Sequence, residues 1–522
     1  MNTLICAGGS AQRVLTAVLH LCAAGLGPEE VRILVVDPDG SNGNGSDCRQ
    51  LIDLYMQCRQ RFRDNLGPGV NLFRTRFDLL DDPTLPAGVK VWSPVTPRET
   101  LGSVINFDNL SDKAGATTTS PDVARLFFTE EEIRMPLDRG FMGHTSVGAA
   151  TMSLVEQHAE DQPWKQITDK IRQDLTSSRG SAVAVVGSVF GGTGASAIHP
   201  LVRFLRTAPK VNHERLHIAA VALVPYFRFE PSTAAAGTAA SELAAKAEWF
   251  PLRTRSAVDF YKHLEDNEEF DFDAIFWVGD NSPVPVNYSE GGPNQRNPGH
   301  FVDFLAAIAV LDYFEDPSVK GNHFAGSRKD AHRELGLRNV LDWNDVPVNK
   351  LRTDRLQRSI IKMVLSGAMH TGFFMKLFEM RDLDRKPSSV PWYYKRFARK
   401  GDHFSQQVNR DDLRLITAFF AIHYLPWWSE VSEPANVMMV NHSVFQGGPG
   451  GPVDVHLDRL RNVCGEDRPA ERTMDGVDDF VRCMDDVPSN RGGIKGVGSY
   501  LSLLSDAAEL YLQRVYRMAV DS

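Results

Sequence analysis

The chain has 522 residues, 42% of them hydrophobic. A chain of this length is too long for one simple core, so two domains with large insertions are predicted. The net charge of -9 argues against nucleic-acid binding, because proteins with that task present clustered positive charge. The six cysteines lack paired short spacing, which predicts reduced thiols in a cytoplasmic protein and excludes a disulfide framework.

The first 280 residues alternate short β-branched runs with segments of helical period, the pattern of a parallel sheet covered on both faces. Strands are predicted over residues 3–7, 31–36, 89–92, 182–188, 217–224 and 272–278. Helices are predicted over residues 14–24, 48–61, 147–158, 164–175, 198–207 and 234–263. Polar, glycine-containing runs at 40–47 and 287–299 are predicted to be loops.

An apolar helix is predicted over residues 301–314, long enough to pass through the middle of the molecule. Beyond residue 352, helical segments with aromatic clusters dominate, and a last helix is predicted over 500–518. The predicted fold class is α/β: a doubly wound parallel sheet at 1–300, a central helix and acidic loop at 301–350, and a mostly helical C-terminal domain at 351–522.

Neither the N-terminus nor the longest apolar stretch is typical of a targeting or membrane segment. The apolar run at the start of the sequence lacks the basic residues of a leader and ends at Gly8-Gly9. The stretch 415–428 contains His423 and Pro426 and is too short to cross a bilayer. We therefore expect a cytoplasmic protein without membrane insertion.

The most informative segment is 183–200, an apolar run followed by a glycine-rich turn and an amphipathic segment. Glycines in the turn let the backbone approach an anion, and the next helix directs its N–H groups at the same point. The turn contains Gly191, Gly192, Thr193, Gly194, Ala195 and Ser196. It is not a Walker loop, because Thr193 stands where lysine is needed. Backbone amides and a bound cation must then neutralise a phosphate; the alternative is an ordinary tight turn.

Two further glycine turns accompany other predicted strands. The first follows strand 3–7 and contains Gly8, Gly9, Ser10 and Gln12. The other precedes strand 182–188 and contains Gly143, Thr145 and Ser146. Because the carboxyl ends of parallel strands meet at one edge of the sheet, all three turns are predicted to converge on one polyphosphate.

Carboxylates and an amide follow the other predicted strands. Asp37 and Asp39 could hold Mg²⁺ through water, although Asp-Pro-Asp-Gly is equally a good turn sequence. Glu230 ends the segment after the fifth strand, where it could accept hydrogen bonds from ribose hydroxyls. Asp280 and Asn281 follow the sixth strand and would contact a base or cap a helix.

The order of these motifs resembles that of the tubulin and FtsZ superfamily of GTPases. Residues 191–196 are similar to its glycine-rich signature loop, with Ala195-Ser196 replacing the usual Thr/Ser-Gly pair. Residues 221–230 are similar to the FtsZ segment whose glutamate meets the ribose. The similarity spans about residues 3–346 and is strongest between 183 and 230. It implies a nucleotide-binding domain that takes GTP or GDP with Mg²⁺.

Residues 302–305, Val-Asp-Phe-Leu, resemble the central-helix motif whose aspartate reads guanine. The resemblance implies this role for Asp303. A carboxylate can accept hydrogen bonds from the N1–H and amino donors of guanine, whereas adenine presents an unprotonated N1 there.

Hydrolysis in this superfamily uses an acidic residue that one subunit inserts into the nucleotide site of the next. Residues 339–346 are similar to that loop, with one inserted residue, which implies catalytic roles for Asp342 and Asp345. The segment between the central helix and this loop is longer here than in the family. An Asp-Trp-Asn-Asp run is also typical of a surface turn.

The sequence thus predicts a GTP-binding protein that forms head-to-tail filaments with itself and hydrolyses GTP slowly on assembly. Protein partners are expected at the C-terminal region. One alternative is a nucleotide-binding scaffold or sensor that does not polymerise. Another is an NAD(P)-dependent Rossmann enzyme starting at Val183, which leaves the two earlier glycine turns unexplained.

Overall fold

The structure is a computed structural model of the whole chain. It describes residues 1–80, 91–96, 98–107, 120–176, 180–207, 213–230, 249–280, 284–287, 292–326, 353–379, 398–399, 402–403, 410–432, 439–446, 452–464, 475–488 and 496–518.

The strands include one large parallel sheet and several short pairs. They are β1 Asn2–Ala7, β2 Glu30–Val36, β3 Arg76–Leu79, β4 Ser181–Ser188, β5 Leu216–Leu223, β6 Phe227–Glu230, β7 Ala274–Gly279, β8 Val284–Asn287, β9 Gly321–Gly326, β10 Ala398–Arg399, β11 Asp402–His403, β12 Phe445–Gln446 and β13 Asp454–Val455. The large sheet has the order β3-β2-β1-β4-β5-β7-β9, and every pairing in it is parallel.

The α-helices of the described residues are α1 Gly8–Ala23, α2 Gly43–Phe62, α3 Leu101–Val104, α4 Ser120–Phe127, α5 Glu130–Arg134, α6 Thr145–Met152, α7 Trp164–Thr176, α8 Thr193–Thr207, α9 Phe250–Asp266, α10 Phe301–Glu315, α11 Thr353–Met369, α12 Met375–Glu379, α13 Arg410–Ala418, α14 Leu425–Val431, α15 Asp475–Asp486 and α16 Val497–Val515. Two π-helical turns, His370–Phe374 and Phe419–Tyr424, follow α11 and α13. None of these helices is both long and apolar enough to cross a bilayer.

Both faces of the sheet are buried, which gives the doubly wound α/β architecture predicted from the apolar runs. Along β1, Leu4 and Cys6 belong to the core with α1 and α10, whereas Ile5 and Ala7 belong to the opposite core with α7 and α8. This alternation follows from the two-residue repeat of a strand.

Helix α10 matches the predicted central helix and is buried from Phe301 to Phe314. A helix that is apolar all round needs cover on every side. The sheet covers it on one side, and the same apolar cluster continues into the C-terminal helices α11, α14 and α16. One apolar cluster thus joins the sheet to these helices, and the division into three domains stays a prediction.

Several predicted boundaries were wrong. Residues 43–47 are helical rather than a loop, because the Asn42 side chain accepts hydrogen bonds from the N–H groups of Asn44 and Gly45 and caps α2. The predicted helix 147–158 divides into α6 and a 3₁₀ segment, Ser153–His158. The edge strands β3 and β9 were not predicted, since their sequences lack a continuous apolar run.

Other predictions fall partly outside the described residues. These are positions 89–90 of a predicted strand and 234–248 of a predicted helix, whose remainder forms α9. Trp92 forms an isolated parallel bridge with Val36.

Candidate functional site

The order of the sheet reverses direction at β1, which lies between β2 and β4. Ligands of open α/β sheets bind at such a reversal, beyond the carboxyl ends of the strands, because the connections on its two sides diverge and leave a crevice. The turns that follow β1 and β4 border this crevice.

The first glycine turn, residues 8–12, contacts the second glycine turn, residues 191–196, in this crevice. Helix α1 starts directly at Gly8, whose φ of +83° favours glycine. A Cβ atom on Gly8 would lie 3.2 Å from Cβ of Thr193 and 3.5 Å from N of Gly194. The N-termini of α1 and α8 therefore lie side by side.

The third glycine turn, which contains Gly143, Thr145 and Ser146, packs against the second turn. A Cβ atom on Gly192 would lie 2.9 Å from Cβ of Phe141 and 3.0 Å from N of Gly143. Helix α6 starts two residues later, at Thr145. All three predicted turns thus lie around one point, although they are far apart in the sequence.

A cleft of about 150 Å³ lies between the three turns. The predicted residues that line it are Gly8, Gly9, Ser10, Asp37, Asp39, Gly143, Gly191, Gly192, Thr193 and Gly194. The first N–H groups of a helix have no partner within the helix, and they carry its positive dipole end. The cleft therefore has the geometry of an anion site.

Sequence reasoning missed several side chains of the cleft, among them the cation Arg139 and the amides Asn42, Asn44, Gln295 and Asn297. Arg139 directly precedes the third glycine turn, so its position next to Gly140 was a usable signal. The amides could not be found in this way, because they come from the N-terminal end of α2 and from a segment about 250 residues further along the chain.

Some predicted binding residues position the cleft without lining it. The Ser196 hydroxyl donates to the Gly192 carbonyl at 2.7 Å and lies 3.1 Å from the Thr145 carbonyl, which joins the second turn to α6. The Gln12 amide donates to Asp37 at 3.0 Å. Ala195 and Ser146 are likewise absent from the lining.

Asp37 and Asp39 are both buried at the cleft. Burial raises the pKa of Asp37 to about 8, and the neighbouring Asp39 carboxylate adds to this shift, while Arg49 and hydrogen bonds oppose it. Asp39 accepts hydrogen bonds from Ser41 and from the Gly292 N–H, the latter at 2.8 Å.

These oxygens fit a hard divalent cation. Mg²⁺ is commonly bound by one or two carboxylates together with substrate phosphates and water, and a cation would relieve the repulsion between Asp37 and Asp39. The Oε1 atom of Gln12 is buried without a hydrogen-bond partner. Within the described ranges, no group of three or more His, Cys, Asp or Glu side chains forms a metal site on its own. Phosphate oxygens would have to complete the coordination.

The segment 292–299, which we call the strap, forms one wall of the cleft. The Asn44 N–H donates to the Gln295 carbonyl at 3.0 Å, and the Asn297 N–H donates to the Asn44 side chain at 2.9 Å. At its far end, the Gly299 N–H donates to Glu430 of α14 at 2.7 Å. The strap was predicted as a loop, and these bonds tie it to α2 and to the C-terminal helices.

Asp303, predicted from the resemblance to read a base, lies among protein partners in the core. It is fully buried, lies 2.6 Å from Arg13, and accepts hydrogen bonds from the Tyr226 hydroxyl at 2.8 Å and the His300 N–H at 3.1 Å. Burial raises its pKa, and the Arg13 charge opposes that shift. Asp303 is absent from the cleft lining, and its donors are already provided by the protein.

The remaining predicted residues are not placed in the cleft. Asp280 follows β7, is buried, and is absent from the lining. Glu230 ends the backbone of β6, but its side chain lies outside the described part. Asn281, Asp342 and Asp345 lie outside the described residues.

No protein-family model matches the chain, and no curated protein matches it either. Its function is therefore argued from the geometry of the cleft.

The raised pKa of Asp37 predicts a stability that depends on pH. Between about pH 4 and pH 8 the folded state holds a proton that the unfolded state has released, so the free energy of unfolding falls as the pH rises. Urea unfolding in EDTA from pH 5 to pH 9 should show this fall, and Asp37→Asn should reduce it. Asp64→Asn, at a surface position, should leave the profile unchanged. Identical profiles for wild type and Asp37→Asn would contradict the assignment.

The buried pair Arg13–Asp303 predicts a non-additive pair of substitutions. Arg13→Met should destabilise the protein by about 3–5 kcal/mol, because it leaves a buried carboxylate without its cation. The double variant Arg13→Met/Asp303→Leu should recover part of this loss. The control Arg61→Met breaks a surface pair with Asp412 and should cost at most about 1 kcal/mol. A double variant that is less stable than Arg13→Met in urea unfolding would show that the two side chains do not stabilise each other.

Proposed function

We propose that the chain binds a nucleotide through its polyphosphate in the cleft, with GTP and GDP as first candidates from the resemblance to tubulin and FtsZ. One observation carries this proposal: three glycine turns meet at the reversal of the sheet, beside two buried carboxylates. A single glycine turn is common, but three with helix N-termini at one point match the repeated negative charges of a polyphosphate.

Each part of the cleft has a chemical role in this proposal. The amides of the turns receive phosphate oxygens, and Arg139 offers a fixed positive charge at the third turn. Asp37 and Asp39 would hold Mg²⁺, which neutralises phosphate charge when bound. Gln12 and Ser196 hold Asp37 and the second turn in position.

Head-to-tail assembly is the second part of the proposal, and it is supported by the resemblance. A heterologous contact between identical subunits gives an open filament unless its rotation closes. Asp342 or Asp345 of one subunit would then orient the attacking water at the phosphates of its neighbour. A protein that binds GTP without assembling would instead be the predicted scaffold or sensor.

A dinucleotide site is the alternative that a specific observation favours. The strand order around β1 is that of a Rossmann fold, and Asp37 directly follows β2, where such folds place the acid that binds the ribose. Two observations favour the polyphosphate instead: the third glycine turn lines the same cleft, and Asp37 is held by Gln12.

Arg139 provides a direct test of the polyphosphate site. Isothermal titration of purified protein with GTP, ATP and NAD⁺ in Mg²⁺ should show binding of GTP, and Arg139→Ala should weaken it about tenfold by removing one charge-assisted contact. Arg134→Ala removes an exposed arginine of α5, outside the cleft, and should bind as wild type does. Binding of NAD⁺ alone would favour the dinucleotide site, and absence of all binding would contradict the proposal.

The assembly hypothesis predicts a separation of binding from turnover. Asp342→Ala or Asp345→Ala should lower GTP hydrolysis at least about tenfold and leave GTP affinity unchanged, because the acid belongs to the neighbouring subunit. Phosphate release and light scattering should be measured over a range of protein concentrations. Hydrolysis that is unaffected by both substitutions would show that this loop is not catalytic.

A further inference from the structure

The strap, residues 292–299, is held in place by hydrogen bonds rather than by apolar packing. None of its residues belongs to either of the two large apolar clusters of the described residues. Pro293, Asn294 and Arg296 are exposed. A segment with few buried apolar contacts depends on its hydrogen bonds for its position, and it opens at low cost when they are lost.

One end of the strap is bound to the cleft. The Gly292 N–H donates to Oδ2 of Asp39 at 2.8 Å, and the other oxygen of this carboxylate accepts two hydrogen bonds from Ser41. The backbone also approaches α2 closely, because a Cβ atom on Gly43 would lie 2.5 Å from the carbonyl oxygen of Pro293. Both oxygens of Asp39 are thus in use, so a change in the charge or position of this side chain acts directly on the strap.

The middle of the strap is bonded to the start of α2. Nδ2 of Asn42 donates to Oε1 of Gln295 at 2.6 Å, and the Asn297 N–H donates to Oδ1 of Asn44 at 2.9 Å. All four of these residues line the cleft. A ligand in the cleft would therefore meet the strap at its middle as well as at Asp39.

The other end of the strap is bound to the C-terminal helix α14. The Gly299 N–H donates to Oε2 of Glu430 at 2.7 Å. A Cβ atom on Gly299 would lie 2.8 Å from Cδ1 of Trp427, so the backbone lies directly against that ring. The neighbouring Pro298 carbonyl accepts a hydrogen bond from Nη2 of Arg13 at 2.8 Å. A shift of this end of the strap therefore changes the contacts of α14.

We propose that the strap transmits changes at Asp39 to α14. A cation and a phosphate in the cleft would bind Asp39 and the amide residues, fix the strap, and slow the local opening of α14. The effect is reciprocal, because a coupling free energy acts equally in both directions. Only the identity of the ligand rests on the proposed function; the link between Asp39 and α14 does not.

Hydrogen exchange of the full-length protein without ligand, measured by mass spectrometry, tests this link. Asp39→Asn keeps the size of the side chain and removes its charge. It should raise exchange rates at least about threefold at residues 292–299 and at least about twofold at residues 425–431, since loss of a hydrogen bond to a charged group shifts a local opening equilibrium by such factors. Asp64→Asn removes an exposed carboxylate and should leave both segments unchanged.

Glu430→Ala is the second variant, because it removes the acceptor at the opposite end of the strap. It should raise exchange rates at residues 39–47 at least about twofold. The matched control Glu509→Gln breaks ion pairs between α16 and α11 and should leave residues 39–47 unchanged. Rates in every variant are compared with those of β5, residues 216–223, which separates a local effect from a global loss of stability.

Unchanged exchange at 425–431 in Asp39→Asn, or at 39–47 in Glu430→Ala, would overturn the proposal. Mg²⁺ with GTP should slow exchange at 292–299 and 425–431 in the wild type, and Glu430→Ala should abolish the effect at 425–431. Protection of the glycine turns by GTP without protection of 425–431 would also overturn it. Absence of GTP binding would contradict the proposed function alone, because the two variants decide the link without ligand.

Discussion

The close approach of the backbone after β1 to the backbone after β4 is the constraint on which the candidate site depends. A Cβ atom on Gly194 would lie 2.4 Å from N of Ser188, so α8 can start this near to β4 only with glycine at that position. Gly8 touches the same start of α8 from the other side. Two helix N-termini are thereby held at the reversal of the sheet, and the third glycine turn packs onto them.

The cleft that results brings groups of both signs together. Two buried carboxylates stand beside the N-termini, and the pKa of Asp37 shows how unfavourable its charge is without a cation. Such arrangements are frequent where a protein binds a charged ligand, because the ligand and its counter-ion supply the missing neutralisation. The strap adds a mechanical link, since its first residue bonds Asp39 and its last bonds Glu430 of α14. The strap therefore connects the phosphate cleft with α14.

The pair Arg13–Asp303 connects α1 with α10 inside the core. Burying two charges is costly unless each is matched, and here Tyr226 and the backbone of His300 share the carboxylate with the guanidinium. Arg13 also lies over the ring of Phe227, 4.3 Å from its centroid. The role of Asp303 in reading a base stays a prediction. In the structure, its carboxylate is enclosed by Arg13, Tyr226 and the backbone of His300.

Local patterns in the sequence were sufficient for the α/β class, for the buried strands β1, β2, β4, β5 and β7, and for the glycine turns. Those features depend on neighbouring residues: an apolar run demands burial, and glycine permits a tight turn. Tertiary structure alone decided which side chains face the cleft. Asn297 and Arg13 bond to residues that lie hundreds of positions away in the sequence. No local spacing in the sequence predicts these partners. The partners of Asp303 could not be predicted from local sequence patterns either, because the packing of the helices determines which residues surround it.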